Sequence, residues 1–217
     1  MADMERLRQA MVEHQIARRG ICDARLLKAM RDVPREAFVP EALQDHAYDD
    51  MPLPVEAGQT ISQPYIVAVM IAAARIGPQD RVLEVGAGSG YAAAIMGRLA
   101  TEVFAIERHE ELADLAAARM ARMGYANVMI RTGDGTEGWP EKAPFDAILV
   151  AAAGPALPLP LRDQLAIGGR LVMPIGGTSE QRLVRFTRRN EAEFDREEME
   201  AVRFVPLIGA HGWRDGG

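Results

Sequence analysis

The sequence predicts an α/β fold with a doubly wound, mostly parallel sheet. Two observations carry this prediction: from residue 65 onward, short apolar runs alternate with segments of helical periodicity, and a glycine-rich turn follows the first apolar run. Strands that alternate with helices form βαβ units, in which helices cover both faces of a parallel sheet. We further expect N-terminal helices before the sheet and antiparallel edge strands at the C-terminus.

With 217 residues, the chain is long enough for one domain with a substantial core. We therefore predict a single domain over 1–217 in three parts. Residues 1–64 form an N-terminal helical region, 65–177 form the sheet core, and 178–217 form the C-terminal edge strands.

The first part contains two predicted helices. Leu7, Met11 and Ile16 recur at roughly helical spacing within 4–21, and Asp23 is a candidate N-cap for a second helix that ends near residue 30. Prolines then interrupt the helical pattern, and 45–58 is predicted to be an extended loop.

The remaining elements follow from periodicity and from turn residues. The predicted helices span 65–75, 91–99, 110–123 and roughly 160–165. The predicted strands span 81–85, 102–106, 127–131, 145–150, 170–174, 182–187 and 201–205. An acidic segment joins the last two strands, which we expect to pair antiparallel at the sheet edge.

Composition favours a globular protein that binds neither nucleic acid nor a membrane. Apolar residues make up 48% of the chain, charged residues 26%, and the formal net charge is −6. An acidic protein has no global positive field for phosphate backbones, and the basic stretch 182–189 followed by the acidic stretch 191–200 is typical of a solvated hairpin. The longest apolar run, 66–74, is far shorter than the roughly 20 residues of a membrane span.

Cys22 is the single cysteine of the chain, so no disulfide can form within it. A reducing, cytoplasmic location fits this cysteine usage. The segment 1–9 carries charges of both signs and lacks an apolar signal core, which agrees with that expectation.

The clearest motif is the glycine-rich turn after the predicted strand 81–85. Gly86, Gly88 and Gly90 stand between that strand and a predicted helix, where a Rossmann-like sheet binds a nucleotide-like cofactor. Glycine lets the backbone turn sharply and lets a ligand approach more closely than a Cβ would permit. Tyr91 occupies the third glycine position of the dinucleotide fingerprint G-x-G-x-x-G, which makes an NAD-dependent oxidoreductase the weaker alternative.

Acidic residues at the same sheet edge narrow the choice of cofactor. Glu107 ends the next strand, where a carboxylate can accept hydrogen bonds from both hydroxyls of a ribose, a group common to NAD and S-adenosylmethionine. Asp134 and Gly135 add an acidic turn suited to an adenine amino group, with an Asx turn at Asp134 as the weaker alternative. With Glu84, these carboxylates favour a cofactor that carries a sulfonium and an ammonium over one that carries a pyrophosphate.

We therefore predict S-adenosylmethionine as the cofactor, with S-adenosylhomocysteine as the product, bound by the fold of class I methyltransferases. The predicted cofactor-binding residues are Glu84, Gly86, Gly88, Ser89, Gly90, Glu107, Arg108, Asp134 and Gly135. No metal is predicted, because the 4 histidines are widely separated and no compact carboxylate cluster is evident.

Beyond the cofactor half, most of the chain resembles a known family. The most specific segment is GQTISQPYIVA at 58–68. Supporting segments are VPREAFVP at 33–40, GDG at 133–135, APFD at 143–146, GGRLV at 168–172 and FVPL at 204–207. In these motifs the chain resembles the protein-L-isoaspartate O-methyltransferases.

The resemblance implies methyl transfer to the free carboxylate of L-isoaspartyl residues, with D-aspartyl residues as a further candidate, in damaged proteins and peptides. The ester then collapses to a succinimide that partly reopens as normal aspartate. By the same resemblance Ser62 is the catalytic residue, and Thr60, Ile61 and Ser62 border the substrate, so that 1–64 is the substrate-side region and 65–177 the cofactor-binding core.

The implied chemistry agrees with the residues present. A carboxylate, with a pKa near 4, is already an anionic nucleophile at neutral pH and needs no general base. Alignment and loss of stabilising water can then drive the transfer. Ser62 would orient the reactants rather than attack; the alternative is that it serves only as N-cap of a helix beginning at Gln63 and Pro64.

Other functions stay open at this point. Segments 55–57 and 153–158 depart from the family pattern, which would suit a related methyltransferase acting on another carboxylate or on a small molecule. A noncatalytic cofactor-binding adaptor is a further alternative, against which the intact Ser62 motif argues. The expected partners are isoaspartyl-containing proteins and peptides, and the protein is expected to be a monomer.

Overall fold

Helices and strands alternate along residues 3–214, which the computed structural model describes. The helices are α1 (Met4–Ala10), α2 (Ala24–Asp32), α3 (Pro64–Ala74), α4 (Tyr91–Gly97), α5 (Glu110–Arg122) and α6 (Leu159–Asp163). The strands are β1 (Leu53–Pro54), β2 (Thr60–Ile61), β3 (Arg81–Val85), β4 (Glu102–Glu107), β5 (Val128–Thr132), β6 (Phe145–Val150), β7 (Leu165–Gly176), β8 (Gln181–Arg188) and β9 (Phe194–Ala201). Residues 1, 2 and 215–217 of the predicted domain lie outside the described residues.

The main sheet has the strand order β5-β4-β3-β6-β7-β8-β9. Strands β3 to β7 pair in parallel, whereas β8 and β9 extend the sheet antiparallel from β7. The predicted doubly wound, mostly parallel sheet with an antiparallel edge is confirmed. The strand order reverses between β3 and β6, and such sheets bind ligands outside the carboxyl ends of the strands at this point.

Alternate side chains of the central strands enter two cores, one on each face of the sheet. Val82 and Val103 pack with residues of the N-terminal helices, α3 and α4, whereas Leu83 and Phe104 pack with Leu161 of α6. Because both faces are buried, these strands need apolar residues at nearly every position. The burial of both faces therefore explains why these strands are continuous apolar runs in the sequence.

Capping residues set the start of α2. The Asp23 carboxylate accepts hydrogen bonds from the backbone N–H groups of Arg25 and Leu26, as the sequence predicts. The first predicted helix is also helical, but its hydrogen-bonding pattern changes along its length. The α-helix α1 continues as a π-helical segment, Met11–Ile16, and ends in a 3-10 turn, Ala17–Arg19.

Two arginines satisfy the carboxyl end of α3. Arg170 donates to the carbonyls of Ala74 and Arg75, and Arg185 donates to the carbonyl of Ala73. Cations at this end complement both the last helical carbonyls and the helix dipole. They anchor α3 to β7 and β8.

The C-terminal edge departs in part from prediction. The predicted strand 182–187 lies within β8, but the predicted strand 201–205 is wrong, because β8 pairs with Phe194–Ala201, in the segment expected to be the connection. Residues 202–207 instead leave the sheet.

Cross-strand pairing explains why an acidic segment forms this edge strand. Arg185 pairs with Glu197 across β8 and β9, and Arg189 pairs with Asp195 near the turn. Opposite charges on neighbouring strands stabilise a pairing that apolar periodicity does not reveal. The hairpin predicted from the basic stretch and the acidic stretch is confirmed.

Candidate active site

A cavity of about 870 Å³ opens at the carboxyl ends of the central strands, at the reversal of strand order. This volume lies in the range of sites that enclose small organic ligands. The predicted site residues that line it are Thr60, Ile61, Ser62, Glu84, Gly86, Gly88, Ser89, Glu107, Arg108 and Gly135. The structure thus brings the substrate-side segment and the cofactor-side turn to one cavity.

The glycine turn after β3 forms one wall of the cavity. Gly86 and Gly88 have φ angles of 88° and 53°, a left-handed region that glycine adopts at little cost. The Gly86 N–H donates to the Ile106 carbonyl at 2.8 Å, which ties the turn to β4. A Cβ built on Gly88 would meet no heavy atom within 4 Å, so the missing side chain leaves room for a ligand.

Gly90 contributes to packing rather than to the cavity wall. A Cβ at Gly90 would lie 3.2 Å from the Ala116 Cβ and 3.3 Å from the Met120 Cε. Its φ of 88° also favours glycine. Gly90 therefore lets α5 pack closely against the start of α4.

Glu107 holds the glycine turn from the end of β4. Its Oε2 accepts the Gly88 N–H at 2.9 Å, and its Oε1 accepts the His109 N–H at 3.0 Å. Hydrogen bonds to an ionised carboxylate are stronger than those between neutral groups. Each oxygen can accept a further hydrogen bond, so the carboxylate retains capacity for ligand hydroxyls.

Glu84 is a buried carboxyl group at the cavity. It is 2% exposed, and its Oε2 has no hydrogen-bond partner within residues 3–214. Burial, and to a lesser extent the charge of Glu107, raises the pKa of the Glu84 carboxyl well above its ordinary value. A cation placed beside this group would offset the cost of ionising it.

Replacing Glu84 with Gln is expected to stabilise the ligand-free protein at neutral pH. The pKa of Glu84 is higher in the folded than in the unfolded state, so unfolding releases a proton near neutral pH. The contribution of Glu84 to the free energy of unfolding is therefore lost as pH rises from the ordinary carboxyl range towards the raised pKa. The variant should gain about 1 kcal/mol, or about 2–4 °C in Tm, near pH 7, and much less near pH 4. Thermal unfolding at both pH values measures this.

Glu102→Gln is the matched control, because Glu102 lies at the start of β4 in a partly exposed pair with Arg81. Such pairs contribute about 0–1 kcal/mol, so this variant should gain no stability. An equal Tm for Glu84→Gln and the wild type near pH 7 would contradict the expectation.

The substrate-side wall runs from β2 to the start of α3. Ile61 pairs with Leu53 of β1, and this ladder places Thr60 and Ser62 at the cavity. The alternative that Ser62 caps α3 is wrong, because Gln63 is the N-cap and no side chain caps the helix. Within residues 3–214 the Ser62 hydroxyl makes no protein hydrogen bond, which leaves it available to a ligand.

Asp134 forms the Asx turn that was the alternative to direct ligand contact. Its Oδ1 accepts the Thr136 N–H at 2.8 Å and the Thr136 hydroxyl at 2.7 Å, and its Oδ2 accepts the Ala210 N–H at 2.7 Å. Partial burial acts to raise the pKa of Asp134, but these hydrogen bonds outweigh it and lower the pKa below its ordinary value. The turn places Gly135 in the cavity wall, while the Asp134 side chain lies outside the lining.

The C-terminal segment forms a further wall of the cavity, to which the sequence analysis assigned no site residue. Residues 201–208 line it, and the backbone N–H of Leu207 donates to the Ala153 carbonyl at 2.8 Å. The FVPL motif at 204–207 indicates the family but not this position in the wall, because the contact depends on a partner about 50 residues earlier that only folding brings near.

Sequence analysis also missed Arg119, a buried residue of α5 that joins two walls. It donates to the Ser89 carbonyl at 3.2 Å and pairs with Glu56 at 3.2 Å. Its partners lie in the glycine turn and in the loop before β2. Arg119 therefore holds the substrate-side loop against the cofactor-side turn.

Residues 3–214 contain neither a cluster suited to a metal ion nor a helix that could span a membrane. No group of three or more His, Cys, Asp or Glu side chains there is arranged to hold a metal ion. None of the helices in that range combines the length and the apolar character needed to cross a membrane.

Comparisons with known proteins agree on one family. Residues 5–212 match the family model described as protein-L-isoaspartate(D-aspartate) O-methyltransferase. The chain is 58% identical over 205 residues to a protein-L-isoaspartate O-methyltransferase of Rhodopseudomonas palustris, an alignment that covers 94% of each chain. It is 50% identical over 216 residues to the corresponding protein of Brucella anthropi, covering 99% of each.

Solved structures extend the similarity to the fold. A protein-L-isoaspartate O-methyltransferase structure superposes with a TM-score of 0.85 at 28% identity, covering 94% of this chain and 67% of that chain. A Plasmodium falciparum protein described as a beta-aspartate methyltransferase, in complex with S-adenosyl-L-homocysteine, superposes with a TM-score of 0.80 at 27% identity, covering 93% and 98%.

Proposed function

The chain belongs to the protein-L-isoaspartate(D-aspartate) O-methyltransferase family, and we propose that it methylates the free carboxylate of L-isoaspartyl residues in damaged proteins and peptides. D-aspartyl residues are the further candidate substrate. The observation that carries the proposal is the Ser62 hydroxyl, which has no hydrogen-bond partner within residues 3–214 and lines the same cavity as the carboxyl groups of Glu84 and Glu107.

The cavity suits S-adenosylmethionine, which supplies an electrophilic sulfonium methyl group and leaves as S-adenosylhomocysteine. The buried Glu84 carboxyl, with one oxygen unpartnered, is a site for a cation. Glu107 has capacity for ribose hydroxyls, and the backbone at Gly88 leaves room for the ligand. We assign cofactor binding to these residues together with Gly86, Ser89, Arg108 and Gly135. To Gly90 we assign the packing of α5 against α4, and to Asp134 the support of the Gly135 turn.

The chain's own residues align the acceptor and exclude water. Thr60, Ile61 and Ser62 border the acceptor, with the Ser62 hydroxyl as an orienting hydrogen-bond donor. Apolar residues of α3 and of the C-terminal wall enclose the cavity, and a carboxylate that loses water there becomes more reactive. Since the acceptor is already ionised at neutral pH, the reaction needs no general base to activate it. His109 lies in the cavity lining, but the transfer does not require it as a base.

A peptide assay tests the proposed function. The wild-type protein should transfer one methyl group from S-adenosylmethionine to an isoaspartyl peptide and none to its aspartyl isomer. Equal labelling of both peptides, or labelling of neither, would overturn the proposal and favour a related methyltransferase with another acceptor.

Ser62→Ala should lower kcat/KM for the isoaspartyl peptide by about 10-fold or more, because a hydrogen bond to a charged group contributes about 1.5–3 kcal/mol. The Kd for S-adenosylhomocysteine should stay within about twofold of wild type. Ser179→Ala, at an exposed position, is the control and should retain full activity. A Ser62→Ala protein with wild-type kcat/KM would remove the hydroxyl from the mechanism.

The segments that depart from the family pattern have structural roles compatible with this function. Glu56 pairs with Arg119, which also holds the glycine turn. The Ala153 N–H donates to the Val205 carbonyl, and the Ala153 carbonyl accepts the Leu207 N–H, contacts that the backbone makes whatever the side chain. These departures from the family pattern are therefore compatible with an isoaspartyl acceptor and do not favour a different one.

The setting of the reaction is also a proposal. The net charge of −6 supports protein rather than nucleic-acid or membrane partners, and the exposed thiol of Cys22 supports a reducing, cytoplasmic location. We propose a monomer in which 1–64 supplies the substrate side and 65–177 the cofactor side. Residues 178–217 supply the edge strands and also the segment 201–208 that lines the cavity.

A further inference from the structure

Arg35 is a fully buried cation behind the substrate-side wall. It is 0% exposed and lies on a 3-10 turn, Arg35–Phe38. Its Nε donates to the Ala47 carbonyl and its Nη2 donates to the Ser62 carbonyl, both at 2.8 Å. The guanidinium carbon lies 4.9 Å from the ring centroid of Tyr91, the first residue of α4. One side chain therefore contacts the substrate-side segment and the helix that follows the glycine turn.

The charge of Arg35 is not neutralised by an acidic neighbour. The ion pairs within residues 3–214 do not include Arg35, and its buried Nη1 and the buried Tyr91 hydroxyl both lack hydrogen-bond partners there. The adjacent Glu36 pairs with Arg8 instead. Burial lowers the pKa of the Arg35 guanidinium, which nevertheless stays protonated at neutral pH. An unpaired buried charge is costly, so its presence calls for a function.

The hydrogen bond from Arg35 sets the direction of one peptide group. The Ser62–Gln63 bond is trans, and in a trans peptide the C=O and N–H groups point in opposite directions. Arg35 does not line the cavity, whereas Ser62 and Gln63 do. Since the Ser62 carbonyl points to Arg35, the N–H of Gln63 points away from Arg35.

We propose that Arg35 is a positioning residue for the acceptor carboxylate: it aims the Gln63 N–H and the Ser62 hydroxyl into the cavity, and its charge favours an anion there. A cation that donates to the carbonyl polarises the peptide group, which strengthens the N–H as a donor. The charge also opposes the repulsion that the Glu107 carboxylate exerts on the acceptor carboxylate. The inference rests on the proposed isoaspartyl acceptor.

The test compares an isoaspartyl peptide, measured by its KM, with the matched isoasparaginyl peptide, measured by its Ki as a competitive inhibitor. The second peptide carries a neutral amide in place of the carboxylate. For the wild type, the KM of the isoaspartyl peptide (the acid) should be lower than the Ki of the isoasparaginyl peptide (the amide). Arg35→Gln, which keeps an amide donor for the Ser62 carbonyl but no charge, should reduce this preference about 10-fold. Arg35→Met, which keeps neither the donor nor the charge, should reduce it at least as much.

A merely structural Arg35 would lower stability or kcat but leave the acid-to-amide preference unchanged. An unchanged preference in either variant would overturn the proposal. The Kd for S-adenosylhomocysteine, expected to stay within about twofold, shows that each variant retains its cofactor side.

A measurement on the wild type covers the case in which Arg35→Gln fails to fold. In an NMR titration of the ¹⁵N-labelled complex with S-adenosylhomocysteine, the backbone amide proton of Gln63 should shift downfield when the isoaspartyl peptide is added. The isoasparaginyl peptide should cause a much smaller shift. Equal shifts would overturn the inference. Failure of the wild type to methylate the isoaspartyl peptide would instead overturn the proposed function.

Discussion

Gly88→Leu is expected to weaken S-adenosylhomocysteine binding by at least about 100-fold, about 2.7 kcal/mol. Gly88 lines the cavity, and the space in front of its Cα is open, so a leucine side chain would occupy the ligand's place. The Cβ of the new side chain meets no protein heavy atom within 4 Å. The loss of stability should be limited to the left-handed backbone, about 1–2 kcal/mol. Calorimetric titration and thermal unfolding measure the two effects.

Gly124→Leu is the control for backbone strain. Gly124 also has a left-handed φ, 76°, and a Cβ there would likewise meet nothing within 4 Å, but Gly124 lies in the loop between α5 and β5, away from the cavity lining. This variant should lose similar stability and bind the ligand normally. Wild-type binding by Gly88→Leu would show that the glycine turn does not hold the cofactor.

Glu107→Ala is expected to raise the Kd for the cofactor by about 100-fold. Besides its predicted contact with the ribose, Glu107 accepts the N–H groups of Gly88 and His109. Removing the carboxylate leaves those donors without their acceptor, which costs about 1–3 kcal/mol for a buried group. Binding should therefore fall through both the lost ligand contact and a less ordered turn.

Glu102→Ala separates this effect from a general weakening of β4. Glu102 lies on the same strand, but its side chain is 39% exposed and pairs with Arg81. Its removal should leave ligand affinity within about twofold, since exposed pairs contribute little. A Glu107→Ala protein that binds as tightly as Glu102→Ala would exclude Glu107 from the cofactor site.

Local patterns predicted the central strands well. The predicted bounds 81–85 and 145–150 coincide with β3 and β6, because these runs are apolar on both faces and end at turn residues. The edge strand β9 was missed for the opposite reason. It is acidic, and cross-strand arginines stabilise it, so nothing in its own periodicity distinguishes it from a loop.

In the candidate site, too, some residues were placed by local motifs, whereas the roles of others depend on tertiary contacts. Contiguous motifs placed Ser62 and Glu84 at the cavity, since neighbours in a short motif stay neighbours after folding. Gly90 and Asp134 belong to the right motifs, but their contacts with α5 and with Ala210 decide that they support the wall rather than line it. Sequence could not separate these roles.

By itself, then, the sequence determined the class of fold, the cofactor turn and the acceptor segment, because each depends on residues close together in the chain. Only the tertiary structure decided what joins them: Arg35 on the Ser62 carbonyl, Arg119 between Glu56 and Ser89, and the wall 201–208. Hydrogen bonds and burial between distant segments depend on distances that arise when the sheet forms. A buried arginine whose partners are backbone carbonyls leaves no pattern in the chain that would reveal it.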